Sequence, residues 1–105
     1  MSSNEVTFSG PYDSAFDVIE DRERAANMKV RSKLASRLTA HVEGNDLDQK
    51  QAAAHLKVDQ SRVSRLLNGH ISDFTIDALI NMCYHAGISV DVIFDEEDVY
   101  AGRPE

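Results

Sequence analysis

The side chains best placed to do chemistry are Gln60, Ser61, Ser64 and Arg65, in a stretch, residues 60–68, that contains no acid. Arg presents two donors at once to the acceptors of guanine, Gln pairs a donor and an acceptor with adenine, and Ser bonds to base or phosphate. A surface shaped only for solubility usually carries Glu and Lys, and a carboxylate here would be repelled by phosphate oxygens. The pattern therefore implies a surface that reads nucleic acid. Such a surface needs a rigid support, and the spacing supplies one. Val63, Leu66 and Leu67 stand at i, i+3 and i+4, so one face of a short helix is buried while Gln60, Ser61, Ser64 and Arg65 point away, with Arg62 at the flank.

Other chemistries are poorly supported. Cys83 and His85 are two apart on a helical pattern and face different directions, and Cys83 belongs to an apolar stripe. His41, His55 and His70 are scattered, with no Cys or carboxylate at ligand spacing, so neither a metal site nor zinc is expected. The run Asp95-Glu96-Glu97-Asp98 reads as a solvated tail. No Gly-rich phosphate loop and no Ser-His-Asp arrangement can be argued from the residues, so neither a catalytic residue nor a cofactor is assigned and an enzyme is not expected.

The 105 residues allow one modest core. A 42% hydrophobic and 28% charged composition, with two Pro and five Gly, suits a helical globular domain. One cysteine gives no internal disulfide framework, and neither a membrane span nor a secretory signal is indicated, so a cytoplasmic protein is expected. The net charge of −7 runs against nucleic-acid binding, since affinity for DNA rests on Lys and Arg displacing counterions. Its distribution answers the objection. Residues 26–70 hold eight Lys and Arg against four acids, whereas residues 1–25 hold six acids against two bases and residues 71–105 hold eight acids against one base. A basic middle between acidic ends suits a chain that holds DNA at its centre and a basic partner at one end; solubility alone is the plainer explanation.

The elements around the acid-free stretch follow from capping and periodicity. Residues 1–20 read as a flexible acidic N-terminal segment, with Phe16, Val18 and Ile19 as a short apolar knot. A helix is expected from Asp21–Ala25 to Val42, with Met28, Ala35, Leu38 and Val42 along one stripe and Gly44-Asn45 as its stop. Two short helices follow at 49–56 and 60–67, each preceded by an aspartate, Asp48 or Asp59, able to cap orphan N–H groups. Ala53 is small enough to let these two helices cross closely. Thr75 caps a last helix that places Ile76, Leu79, Ile80, Cys83 and Ala86 on one face and stops at Gly87. Ile88, Val90, Val92 and Phe94 then alternate, which predicts a short β-strand; a lone strand needs a mate, and the simplest is its copy in a second subunit. Residues 95–105 form an acidic tail. The expected class is all-α, a bundle of four to five helices over 21–94 with a short C-terminal strand.

The run LDQKQAAAHLKVDQSRVSRLLNG resembles the helix-turn-helix of the Xre/Cro-repressor-like family, and with its flanking helices the likeness covers roughly residues 28–87. The shared pattern comprises Gln49, Ala53, Gln60, Val63, Ser64, Leu66, Asn68 and Gly69. The resemblance implies a lambda-repressor-like bundle in which Gln60, Ser61 and Arg65, with Ser64, face base edges. It also implies that Gln49, Asn68 and His70 grip the phosphate backbone; Arg62, at the flank of the helix, is expected to join them. Lys57 stands at the turn position usually held by Gly, and a left-handed conformation there would cost roughly 1 kcal/mol relative to Gly.

The FDVIED, DFTIDALINMCYHAG and VDVIF segments are similar to the HigA-type antitoxins and their orphan relatives. That likeness implies a small dimeric repressor that binds its own promoter and neutralises a basic RelE/HigB-like toxin. Dimerisation would use Val90, Val92 and Phe94 with the preceding helix, setting two recognition helices about 34 Å apart on a palindromic operator. The alternatives are a stand-alone or prophage regulator, and an interaction module that keeps the fold without binding DNA.

Overall fold

The computed structural model describes residues 15–95. It contains α1 (Ala15–Gly44), α2 (Gln49–Leu56), α3 (Gln60–Leu67), a single 3₁₀ turn (Ile71–Asp73) and α4 (Ile76–His85). The fold class is the all-α helix-turn-helix bundle. Of the expected flexible segment 1–20, residues 1–14 lie outside the described residues and residues 15–20 are helical instead; of the expected tail 95–105, all but Asp95 lies outside them.

α1 starts at Ala15, ahead of the Asp21–Ala25 region expected. Asp17 in its first turn meets the positive end of the helix dipole, and Asp21 pairs with Arg24 one turn on. Only the second half of α1 reaches the core, through Ala35, Leu38 and Val42, with Leu34 half-buried beside them. Phe16 and Ile19 are exposed, so this apolar knot does not dock on the core.

Ala52, Ala53 and Leu56 of α2 pack with Val63 and Leu66 of α3, and α4 closes the bundle against α1 with Leu79, Met82, Cys83 and Ala86. The alanines at the α2–α3 crossing are buried, as their size requires. On α4 the buried row is 79, 82, 83, 86 rather than the row containing Ile76 and Ile80; Ile76 is half-buried and Ile80 is turned out. The two rows differ by a fraction of a turn, and the fold buries Met82, at 2% exposure, in place of Ile80. Phe74, between the 3₁₀ turn and α4, is the largest fully buried side chain.

All four α-helices end by one device. An N–H reaches back five residues to a carbonyl, from Leu47 to Val42, Val58 to Ala53, His70 to Arg65 and Ile88 to Cys83, at 2.9–3.1 Å. The residue before each donor takes a positive φ: Asp46 at 53°, Lys57 at 61°, Gly69 at 82° and Gly87 at 79°. The backward bond satisfies an orphan carbonyl, and Leu47, Val58 and Ile88 then drop onto the core. After α1 the left-handed residue is therefore Asp46, two beyond Gly44. Lys57 does hold the left-handed turn, at φ 61° and ψ 46°. Replacing Lys57 with Gly should raise the unfolding free energy by up to about 1 kcal/mol, read as a higher urea midpoint at unchanged slope. A lowered midpoint would show that the lysine side chain contributes more than its backbone strain removes.

The expected strand at 88–94 does not form: residues 88–95 carry no secondary structure in the single chain. The physical reason is the one that made the strand conditional, because no neighbouring strand is present to accept its backbone bonds. Ile88 is half-buried against the core, while Val90, Val92, Ile93 and Phe94 are exposed.

Candidate nucleic-acid interface

The presented surface is built by two capped helices and the turn between them. Asp48 accepts from the Gln51 N–H at 2.7 Å while the Gln51 side chain accepts from the Asp48 N–H at 2.9 Å, closing a reciprocal box at the start of α2. Asp59 accepts from the Arg62 N–H at 2.8 Å and fixes the start of α3. Both aspartates thus have local structural work at helix starts, which leaves residues 60–68 the acid-free flank that the sequence implied.

On α3, Val63 and Leu66 are buried and Leu67 is half-buried. Gln60, Ser61 and Arg65 are exposed on the other side, and Ser64 is half-buried at its edge. Arg65 donates from its guanidinium to the Ser61 hydroxyl at 2.8 Å, which holds an otherwise floppy side chain along the helix face. A pre-positioned Arg loses less rotamer entropy on meeting a planar acceptor pair. Gln49 is exposed at the first position of α2, and His70 is exposed just after the Gly69 turn.

Two of the anticipated backbone-gripping residues are committed elsewhere in the free protein. Asn68 caps the end of α3, donating to the Ser64 carbonyl at 2.9 Å and lying 3.3 Å from its hydroxyl. Arg62 is half-buried, with its guanidinium carbon 5.0 Å from the centroid of the Phe74 ring, a cation–π seat. Arg31 of α1 donates to the Phe74 carbonyl at 3.1 Å and to the Ser72 carbonyl at 3.4 Å. Two arginines from different helices thus secure the loop behind α3. No sequence spacing links positions 31, 62 and 74, so this lock was not legible beforehand.

The structure also joins two histidines that looked unrelated. His41 of α1 and His55 of α2 approach Nε2 to Nε2 at 3.0 Å. Their planes lie 15° apart and their centroids 5.0 Å apart, so the rings meet edge to edge with the two nitrogens between them. Such a bond needs one protonated and one bare nitrogen. Burial lowers the His41 pKa, and the neighbouring His55 and Arg37 charges lower it further. The unfolded chain therefore takes up a proton near pH 6.5 that the folded chain resists. Stability should be intact above that pH and fall as the pH drops below it. Urea midpoints measured between pH 7.5 and 5.5 should decline less in His41→Gln than in the parent; parallel declines would remove His41 as the cause.

Cys83 is buried, and burial pushes its thiol pKa up, which keeps it a protonated core side chain. Among the described residues no group of three or more His, Cys, Asp or Glu could hold a metal ion, and no helix is long and apolar enough to cross a membrane.

A capped helix pair presenting an acid-free polar flank defines a helix-turn-helix DNA-binding regulator. The chain belongs to the family described as Helix-turn-helix domain, whose model matches residues 18–94. It is similar to a solved structure assigned as an XRE family transcriptional regulator, at 26% identity and a TM-score of 0.64, covering 69% of this chain and 81% of that one. No curated protein matches the chain.

Proposed function

We propose that this protein is a sequence-specific transcriptional repressor, acting as a cytoplasmic, nucleoid-associated homodimer on a palindromic operator. The observation that carries the reading is the exposed set Gln60, Ser61 and Arg65 on a helix whose other face is buried. Gln60, Ser61, Ser64 and Arg65 would read bases, and Gln49, Arg62, Asn68 and His70 would hold phosphates. Arg62 would do so from its Phe74 seat, which fixes the stem and leaves the direction of the charge defined. The test is a filter-binding titration on the protein's own promoter at two salt concentrations. Specific retention that falls steeply with salt is expected, and retention equal to that of random DNA would refute sequence reading.

The dimer reading rests on an apolar surface at one end. Ile80 and Tyr84 of α4 form a groove with Ile88 and Val90, and Val92 and Phe94 follow it, the last 74% exposed. A second copy of residues 88–94 would cover these side chains and supply the missing ladder partner. Val92→Asp should convert the dimer to a monomer in analytical ultracentrifugation without loss of helix content. An unchanged sedimentation coefficient would place the interface elsewhere.

The finer role is that of a type II antitoxin which represses its own operon and binds a basic RelE/HigB-like toxin. Acidic residues at both ends of the chain support it. The alternative is a stand-alone or prophage regulator, favoured by the likeness to a transcriptional regulator. The adjacent reading frame separates them: a basic, single-domain product that co-purifies supports the antitoxin, and its absence leaves the regulator.

A further inference from the structure

We propose that His41 and His55 form a two-imidazole chelate for a divalent transition-metal ion of the copper–nickel class, clamping α1 to α2. Imidazole nitrogen is a common ligand for these metals, and two of them from separate helices stand 3.0 Å apart at the surface. Two protein nitrogens with water completing the shell suit tetragonal copper or octahedral nickel, whereas a structural zinc ion usually takes four protein ligands.

His55 is exposed and His41 half-exposed, so each ring is free to swing off the line joining the nitrogens toward an ion beside it. The metal would replace the proton now shared between the rings. Clamping ties α1 to α2, whose buried residues, Leu38 and Leu56 among them, share one core, so bound metal stabilises the fold by mass action. Arg37 on α1 carries the charge that opposes the ion, being near enough to act on His41. Its removal therefore strengthens binding at this pair.

The test is a calorimetric titration of the full, tag-free chain with nickel chloride at pH 7.5, repeated with zinc chloride. One ion per chain is expected, with nickel preferred to zinc and a rise in melting temperature. Affinity should fall tenfold or more, about 1.4 kcal/mol, in both His41→Gln and His55→Gln, and rise in Arg37→Gln. Helix content by circular dichroism shows that each variant is folded. A nickel titration unaltered by His55→Gln, or no binding by the folded parent chain, overturns the site.

Discussion

Substituting Phe74 by Ala is expected to remove about 3–5 kcal/mol of stability, the range for losing a fully buried aromatic ring. A domain of this size has only about 5–15 kcal/mol in total, so the variant should be half-unfolded at modest urea or just above room temperature. The ring is 1% exposed and plugs the space between the 3₁₀ turn and the helices behind α3. Its loss also removes the seat of Arg62. Phe74→Leu keeps most of the volume and should lose much less, while leaving Arg62 without an aromatic face. The two variants thus separate packing from the cation–π contact, by denaturation in one case and by operator affinity in the other. A Phe74→Ala midpoint within about 1 kcal/mol of the parent would contradict the assignment of this residue as the core's plug.

The second large effect concerns recognition. Arg65→Ala should lower operator affinity by about 1–3 kcal/mol and relax preference at one base pair, and adding Gln60→Ala should lower it by a similar further amount. Both side chains are exposed and Arg65 bonds to the exposed Ser61 hydroxyl, so neither change should move the urea midpoint appreciably. Asn68→Ala differs on both counts. It weakens all DNA sequences alike if Asn68 holds phosphate, and it also loses the cap on the Ser64 carbonyl, so some stability goes with it. Measuring binding on cognate and scrambled duplexes beside a denaturation curve for each variant distinguishes the roles. Equal losses on both duplexes for Arg65→Ala would sink its assignment to base edges.

How far these residues were legible depended on whether their partners lie near in sequence. The caps at Asp48, Asp59 and Thr75 act within three residues, and each does what its type and position imply. The buried row Val63–Leu66 and the exposed row Gln60–Ser61–Arg65 follow from helical period alone. The left-handed Lys57 was legible only by resemblance, since its side chain argues against that conformation. What escaped was set by tertiary placement. The Arg31–Phe74–Arg62 lock spans 43 residues, and the His41–His55 contact spans 14. The face of α4 went partly astray because Ile80 and Met82 lie on neighbouring helical rows, and it is Met82 that faces the bundle. The strand at 88–94 was read from alternation, a pattern whose fulfilment depends on a neighbour that a lone chain does not have.

The unequal burial of α1 makes one helix behave as two. Its first 13 or so residues place no side chain in the core and rest mainly on local helix bonds and pairs such as Asp21–Arg24, an arrangement marginal in water at lengths under about 12–15 residues. From Leu34 onward the same ladder is backed by the core. Amide hydrogens should therefore exchange with deuterium along a gradient, rapidly near Ile19 and only through global opening near Leu38. Any ligand gripping the overhanging half would register as newly slowed exchange there, which gives a label-free assay for whatever macromolecule this end receives.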